Sequence, residues 1–152
     1  MNTKGIIIGD APILRERSKE VTKVDKRIRR IIDRLKSVLK TSRGVGISAV
    51  QIGKLVRVAI VNDRRKAQYV LINPVITYQE GSSVDEESCL SKPHIYGDVE
   101  RPTKIIVSYM DDHMTVQDLE ATGLLARCIQ HEIDHMDGIL FTDKAKSIRV
   151  ED

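Results

Sequence analysis

The sequence predicts an α+β fold in which antiparallel or mixed β-sheets pack around a central C-terminal helix. Apolar residues recur at helical spacing in one N-terminal and one C-terminal segment, β-branched runs lie between them, and short turns join those runs. Strands and helices do not alternate, so a parallel βαβ sheet is not expected. The length suits one domain, residues 1–152, with a substantial core.

The first element is an amphipathic helix near the N-terminus. Asp25 stands early in it, and "TSRG" closes it at Gly44. Its apolar residues are spaced by three and four, which places them on one face; they are Ile28, Ile31, Ile32, Leu35, Val38 and Leu39.

Runs rich in β-branched residues predict the strands, which are Val56–Asn62, Tyr69–Asn73 and Lys104–Met110. Pro74 is expected to end the second of them. Residues 111–113 have the composition of a hairpin turn into a further strand, residues 115–120. The last element is a helix over residues 122–136, with Gly138 as its stop.

Two histidines on the last helix indicate a metal site. His131 and His135 lie four apart, so both rings project from one face, and Glu132 can reach a water beside the ion without being a ligand. The alternative is a pair of core histidines satisfied by backbone carbonyls. That alternative leaves a buried glutamate in need of a partner.

A third protein ligand is needed, and the sequence favours an upstream residue. Asp137 lies on another helix face, and Asp143 belongs to a segment that leaves the helix. Upstream, Cys89 stands in "EESCLSKP", a stretch expected between strands. An isolated cysteine is often a small buried hydrophobe. With two histidines lacking a partner, however, a thiolate ligand is favoured, and spacing alone suggests zinc.

Three motifs together resemble those of the peptide deformylase family. They are "GVGISAVQ", "ESCLS" and "QHEIDH", in that order, and the similarity runs from about Ala11 to Asp143. The resemblance implies a metal-dependent hydrolase that removes the formyl group from the N-terminal methionine of newly made bacterial and organellar proteins, releasing formate. N-formyl-Met nascent peptides would be its partners.

The resemblance also implies roles for individual residues. Glu132 would be the general acid-base, while Gln51 and the backbone N–H of Leu90 would face the developing oxyanion. One divalent ion, usually Fe(II) with Zn(II), Ni(II) or Co(II) able to substitute, would be held by Cys89, His131 and His135.

Further residues are assigned to the surroundings of that centre. Arg101 is expected to pair with Glu87 and hold the cysteine loop against the sheet; the alternative is a surface ion pair of little value. The substrate pocket is predicted to be formed by Val45, Gly46, Ser88, Leu124, Arg127 and Cys128.

The chain departs from the family's pattern around the pocket. Ser88 replaces a glycine, which would cost about 1 kcal/mol if its φ is positive. Ile47 and Ser48 replace the usual leucine and alanine, a mild repacking. Asp85 and Arg127 bring charge to the pocket rim, where they either pair or shift specificity. Two alternatives therefore stay open: a paralogue that binds formyl peptides with weak turnover, and a related amide hydrolase with altered acyl specificity.

Composition sets the remaining expectations. The net charge of +3 permits an acidic partner such as ribosomal RNA, but a solvated basic helix accounts for much of it, and no sequence-specific nucleic-acid binding is expected. No membrane span or signal peptide is recognised. Two cysteines fit a reducing bacterial cytoplasm. Only transient ribosome contact is expected, because the chain ends soon after Gly138 and has no room for the longer C-terminal helix of some relatives.

Overall fold

The computed structural model describes residues 2–64 and 67–151, which form two antiparallel sheets and a small number of helices. The helices are α1 (Lys26–Ser42), α2 (Gly123–Met136) and the short α3 (Phe141–Lys144), with 3-10 turns at Pro12–Arg15 and Ala49–Ile52. The strands are β1 (Gly46–Ser48), β2 (Val58–Asn62), β3 (Gln68–Glu80), β4 (Ser83–Cys89), β5 (Lys92–Arg101), β6 (Lys104–Met110), β7 (Val116–Thr122) and β8 (Ala145–Val150). The predicted α+β class is confirmed.

Helix α1 has the amphipathic form that its sequence predicts. The Asp25 side chain caps its start by accepting from the amide of Ile28 at 3.0 Å, and Arg43 ends it with a left-handed φ of 60°. The apolar face packs on β1 and β2, where Leu35 and Leu39 are almost completely buried. This is the larger part of the hydrophobic core.

The five-stranded sheet has the order β1-β2-β3-β6-β7, and one of its strands is longer than predicted. Pro74 does not end β3, which continues to Glu80. The pairing with β6 shifts between Ile72 and Val75, so Pro74 lies in a bulge where no ladder donor is required. Asn73 turns the chain there with a φ of 50°, and its amide donates to the Arg57 carbonyl at 2.9 Å.

Helix α2 packs against β1, β2 and β7, and therefore lies against the sheet along most of its length. It starts directly after Thr122 and ends at Met136, as predicted. Gly138 then turns the chain with a φ of 74°, and a Cβ at this position would lie 2.3 Å from the Arg15 carbonyl oxygen. Glycine is required here for both reasons.

The three-stranded sheet, in the order β4-β5-β8, was not predicted. Cys89 was expected in a stretch between strands; it is instead the last residue of β4 and pairs with Lys92 across a tight hairpin. Only a small apolar cluster with Val99 and Phe141 lies beneath this sheet. None of the helices in the described ranges is long and apolar enough to cross a membrane.

Candidate metal centre

Helix α2 and the end of β4 bring Cys89, His131 and His135 together. The ligand atoms of the three side chains all lie within 4.8 Å of one another, and all three residues are buried. Cys89 Sγ is 3.2 Å from His135 Nε2, and the two imidazole centroids are 5.1 Å apart. These three form a group that can hold a metal ion.

The chemistry of the three donors fits such an ion. His131 Nδ1 lies 2.9 Å from Glu87 Oε1, and donation to this carboxylate leaves Nε2 as the ring nitrogen that would bind a metal after losing its proton. Burial raises the pKa of the Cys89 thiol, but His135 and His131 outweigh it and hold that pKa well below its ordinary value. The thiolate, which is the ligating form, is therefore favoured.

Two carboxylates considered as third ligands are engaged elsewhere. Asp137 accepts from Arg57 Nη1 at 2.9 Å, and Asp143 accepts from Arg15 Nη1 at 2.5 Å and from the amide of Leu140. Neither belongs to the cluster of potential metal ligands found in the described residues. This supports the upstream cysteine over a downstream acid.

Glu132 is 4% exposed and lines the same cavity as Cys89 and His131. Burial raises the pKa of Glu132 above its ordinary value, although the nearby imidazoles of His131 and His135 lower it in part. Gly46 lies directly beneath the carboxylate, and a Cβ on that glycine would be 2.7 Å from Glu132 Oε2. The glycine is needed for close approach rather than for an unusual φ.

Gln51 is held behind the cysteine by the 3-10 turn that follows β1. Its Oε1 accepts from the Ser48 amide at 2.9 Å, which fixes the orientation of the carboxamide. Its Nε2 donates to Ser91 Oγ at 3.0 Å and lies 3.7 Å from Cys89 Sγ. The second contact is a weak hydrogen bond to sulfur, so the N–H that faces Cys89 is the one that could donate to a ligand instead.

Glu87 joins the centre to a buried network of charges. Arg101 donates to both of its oxygens, from Nε at 2.5 Å and from Nη2 at 2.9 Å, so the expected pair is present and is buried rather than on the surface. Arg101 Nη1 also reaches Asp134 at 2.9 Å. Burial raises the pKa of Glu87, but the bonds from His131 and Arg101 outweigh it and lower the value to about 2.

Arg127 belongs to this network, and it also makes the pair with Asp85 that was one of its two expected roles. The side chain is 8% exposed, and Nη1 donates to Glu87 Oε2 at 2.7 Å and to the Val99 carbonyl at 2.8 Å. The Asp85 carboxylate lies 3.6 Å from Nη2 and is mostly exposed. Glu87 is the stronger partner of Arg127, because both charges of that ion pair are buried and shielded from water.

A cavity of about 180 Å³ opens over Cys89, His131 and Glu132. The six predicted pocket residues all line it, together with Gly44, Glu86, Glu87 and Leu90. Val45 and Leu124 are 46% and 42% exposed at its mouth.

Two expectations about individual pocket residues are settled by the backbone and by burial. Ser88 is exposed and is not among the residues with positive φ, so the backbone strain considered for it does not arise. Burial raises the pKa of the Cys128 thiol to about 12, which leaves that cysteine a neutral part of the wall.

One contact at the centre was not predicted from the sequence. Ser48 Oγ lies 2.9 Å from the Glu132 carbonyl oxygen and 3.1 Å from Glu132 Oε1. The substitution of serine for the family's usual alanine was the available signal, and it was interpreted as repacking. His94 and His113 are exposed.

The polypeptide deformylase family model matches residues 3–151. The chain belongs to the peptide deformylase family. A peptide deformylase of Caldicellulosiruptor bescii is 48% identical over 87% of this chain and 79% of its own length. One of Mesorhizobium japonicum is 40% identical over 98% of this chain and 88% of its own.

Solved deformylase structures share the fold. A peptide deformylase from Legionella pneumophila superimposes with a TM-score of 0.89 at 36% identity, covering 93% of this chain and 85% of that one. One from Synechococcus elongatus, in complex with actinonin, has the same TM-score and identity over 93% of this chain and 78% of that one. The chain is therefore an enzyme of the deformylase kind, and removal of the N-formyl group from nascent proteins is its function.

Proposed function

We propose that this chain deformylates the N-terminal methionine of nascent peptides with one divalent ion held by Cys89, His131 and His135. The observation that carries the proposal is the convergence of a thiol and two imidazoles within 4.8 Å, with Cys89 and His131 on the wall of a cavity that Glu132 also lines. Three protein donors leave a position open, which is typical of a catalytic rather than a structural metal site.

When bound, the ion would supply Lewis acidity toward the formyl oxygen and make water a better nucleophile at neutral pH. We infer Fe(II) as the working metal, with Zn(II), Ni(II) or Co(II) able to occupy the same donors. Glu87 keeps His131 in the required tautomer, and Arg101 and Arg127 keep Glu87 in place. The centre is thereby oriented before substrate enters.

Glu132 is proposed to move the protons of the reaction. Its carboxylate lies on the cavity, so it can accept a proton from the attacking water and return one to the leaving amine. Its raised pKa suits this exchange, because a base that ionises nearer neutral pH also gives its proton back more readily.

Gln51 and Leu90 are proposed to stabilise the negative charge that develops on the formyl oxygen. Gln51 Nε2 donates to Cys89 Sγ at 3.7 Å, so this N–H is close to the metal donors, and Leu90 follows the cysteine directly and lines the cavity. Preorganised N–H donors of this kind stabilise the transition state more than the ground state.

The methionine side chain is proposed to enter the apolar part of the cavity, bounded by Val45, Leu124 and Cys128. Methionine is unbranched and polarisable and fits a narrow slot of this kind. We further propose that residues 1–152 act as one catalytic domain in a bacterial cytoplasm, with only transient contact to the ribosome. No observation favours weak binding or another acyl group, and the presence of Glu132 favours turnover.

The test is formate release from formyl-Met-Ala-Ser by protein purified anaerobically with Fe(II). We expect formate in proportion to enzyme, with acetyl-Met-Ala-Ser as the matched substrate that should remain intact. Absence of formate from a fully metal-loaded protein would reject the proposal. Release of acetate at a comparable rate would instead point to broader acyl specificity.

A further inference from the structure

We propose that Ser48 is a positioning residue for this reaction, and that its hydroxyl group fixes one carboxylate oxygen of Glu132. The proposal rests on the proposed function, in which Glu132 transfers the protons. Ser48 is completely buried at the end of β1, and its Oγ lies 3.1 Å from Glu132 Oε1. The residues are 84 positions apart in the chain, so this contact exists only through the packing of β1 against α2.

The hydroxyl has one proton and two acceptors within reach, the carboxylate and the Glu132 carbonyl oxygen at 2.9 Å. Helix α2 continues to Met136, so that carbonyl already faces the amide of residue 136 in helical geometry. The carboxylate has no second hydrogen-bond donor among residues 2–64 and 67–151. Donation to the carboxylate is therefore favoured.

The other carboxylate oxygen is restrained from a different direction. Glu132 Oε2 lies over Gly46, close enough that a Cβ on the glycine would be 2.7 Å away. With Oε1 held by Ser48 and Oε2 resting on Gly46, the plane of the carboxylate is fixed relative to the cavity. An alanine at position 48 would release the first restraint and leave the second in place.

A restraint on the proton-transferring group should act on kcat rather than on KM, because Ser48 does not line the cavity that receives the peptide. We expect Ser48→Ala to lower kcat by about threefold to tenfold, which corresponds to one hydrogen bond of ordinary strength. KM for formyl-Met-Ala-Ser and the bound metal should stay unchanged. Ser48→Thr, which keeps the hydroxyl, should recover the greater part of kcat.

The matched control is Ser18→Ala. Ser18 is a buried serine whose hydroxyl has no hydrogen-bond partner in the described part of the chain. We expect its kcat and KM to equal those of the wild type. An unchanged kcat in Ser48→Ala would overturn the proposal. Equal losses of kcat in Ser48→Ala and Ser48→Thr would also overturn it, since packing and not the hydroxyl would then be responsible.

A second measurement does not depend on turnover. Ser48→Ala is introduced into the wild type and into Glu132→Ala at matched metal content, and the urea midpoint of unfolding is compared. If the hydroxyl binds the carboxylate, the midpoint falls less in the Glu132→Ala background, because the partner is already gone. An equal fall in both would mean that only the backbone carbonyl is bound, which rejects the proposal. A wild type without formate release would reject the proposed function, and this cycle would still decide the role of Ser48.

Discussion

The region beneath α1 and the region around Glu87 are both buried, but different forces stabilise them. Under α1 the contacts are almost entirely between aliphatic side chains such as Leu35, Leu39 and Ile60. Around Glu87 the buried groups are ions and imidazoles, joined by hydrogen bonds of 2.5 to 2.9 Å. Apolar burial is non-directional and tolerates small shifts, whereas a buried carboxylate requires each of its donors in place.

This difference indicates how stability and activity are divided in the molecule. Loss of a methylene group beneath α1 should lower the free energy of unfolding and leave the chemistry of folded molecules intact. Loss of a donor around Glu87 should move a metal ligand and therefore change activity. Substitutions in the two regions can be ordered by the size of their expected effects.

Cys89→Ser should have the largest effect on activity. Serine keeps the size of the side chain but removes the soft thiolate, so most of the metal and most of the turnover should be lost. Metal content by atomic emission and formate release from formyl-Met-Ala-Ser are the measurements. The matched control is Cys128→Ser, which should retain the metal because Cys128 lies outside the donor cluster. Full metal occupancy and full activity in Cys89→Ser would remove Cys89 from the site.

Glu132→Gln should have the second largest effect. We expect the metal to be retained and kcat to fall by about 10²-fold or more, which is the usual cost of losing general acid-base catalysis. Glutamine has the same shape and can still accept from Ser48, so the fold should be unaffected. Metal content and kcat are measured on the same preparation. If the metal leaves with the carboxylate, Glu132 is a ligand and its assigned role is wrong.

Leu35→Ala tests the other region. Leu35 is completely buried beneath α1, so we expect the free energy of unfolding to fall by about 2 to 5 kcal/mol. The kcat per folded, metal-loaded molecule should be unchanged. Urea unfolding and formate release are compared with those of Val116→Ala, where the side chain is 72% exposed and little change is expected. A large fall in kcat for Leu35→Ala would mean that the two regions are not separable.

Acid should act through the Glu87 region before it affects the α1 region. The pKa of Glu87 is lowered from 4.5 to about 2 in the folded protein, so the unfolded state binds more protons between these values. The stability that this carboxylate contributes is therefore complete above pH 4.5 and is lost as the pH falls toward 2. Metal-free wild type should lose stability in this range, while Glu87→Gln should be less stable at pH 7 and show a flatter dependence.

The control for that experiment is Glu20→Gln, which changes an exposed glutamate and should leave the wild-type curve in place. A wild-type curve as flat as that of Glu87→Gln would show that the Glu87 network does not contribute through its charge.

The same contrast explains which parts of the fold could be predicted from the sequence. Helix α1 and strand β6 were found because their burial follows a simple period, which is visible in apolar residues alone. Strands β4 and β8 were missed because most of their side chains are exposed and β4 buries a glutamate and a cysteine. These two strands form because they pair with β5, and hydrophobic periodicity along the chain does not show which segments will pair.

At the site, residues of one motif were predictable and contacts between motifs were not. The spacing of His131 and His135 indicates a metal on its own, and the need for a third ligand points to Cys89. The burial of Arg127 and the bond from Ser48 to Glu132 join segments that are far apart in the chain, so neither follows from local pattern. Both positions differ from the family's usual residue, and that difference was the only sign of them.

Ser88→Gly should give the smallest effect, and it tests how far the region around Glu87 extends toward the cavity mouth. Ser88 precedes Cys89 but is exposed at the cavity mouth, and its φ is not positive, so relief of strain cannot contribute. Only crowding of the entrance remains, and its removal should raise kcat/KM a few-fold, equivalent to about 1 kcal/mol or less. Metal content should not change, since the ligands are held from behind by Glu87 and Gln51. A fall in kcat/KM would instead mean that the serine contacts the substrate. Specific polar contacts would then matter at the mouth of the pocket as they do around Glu87.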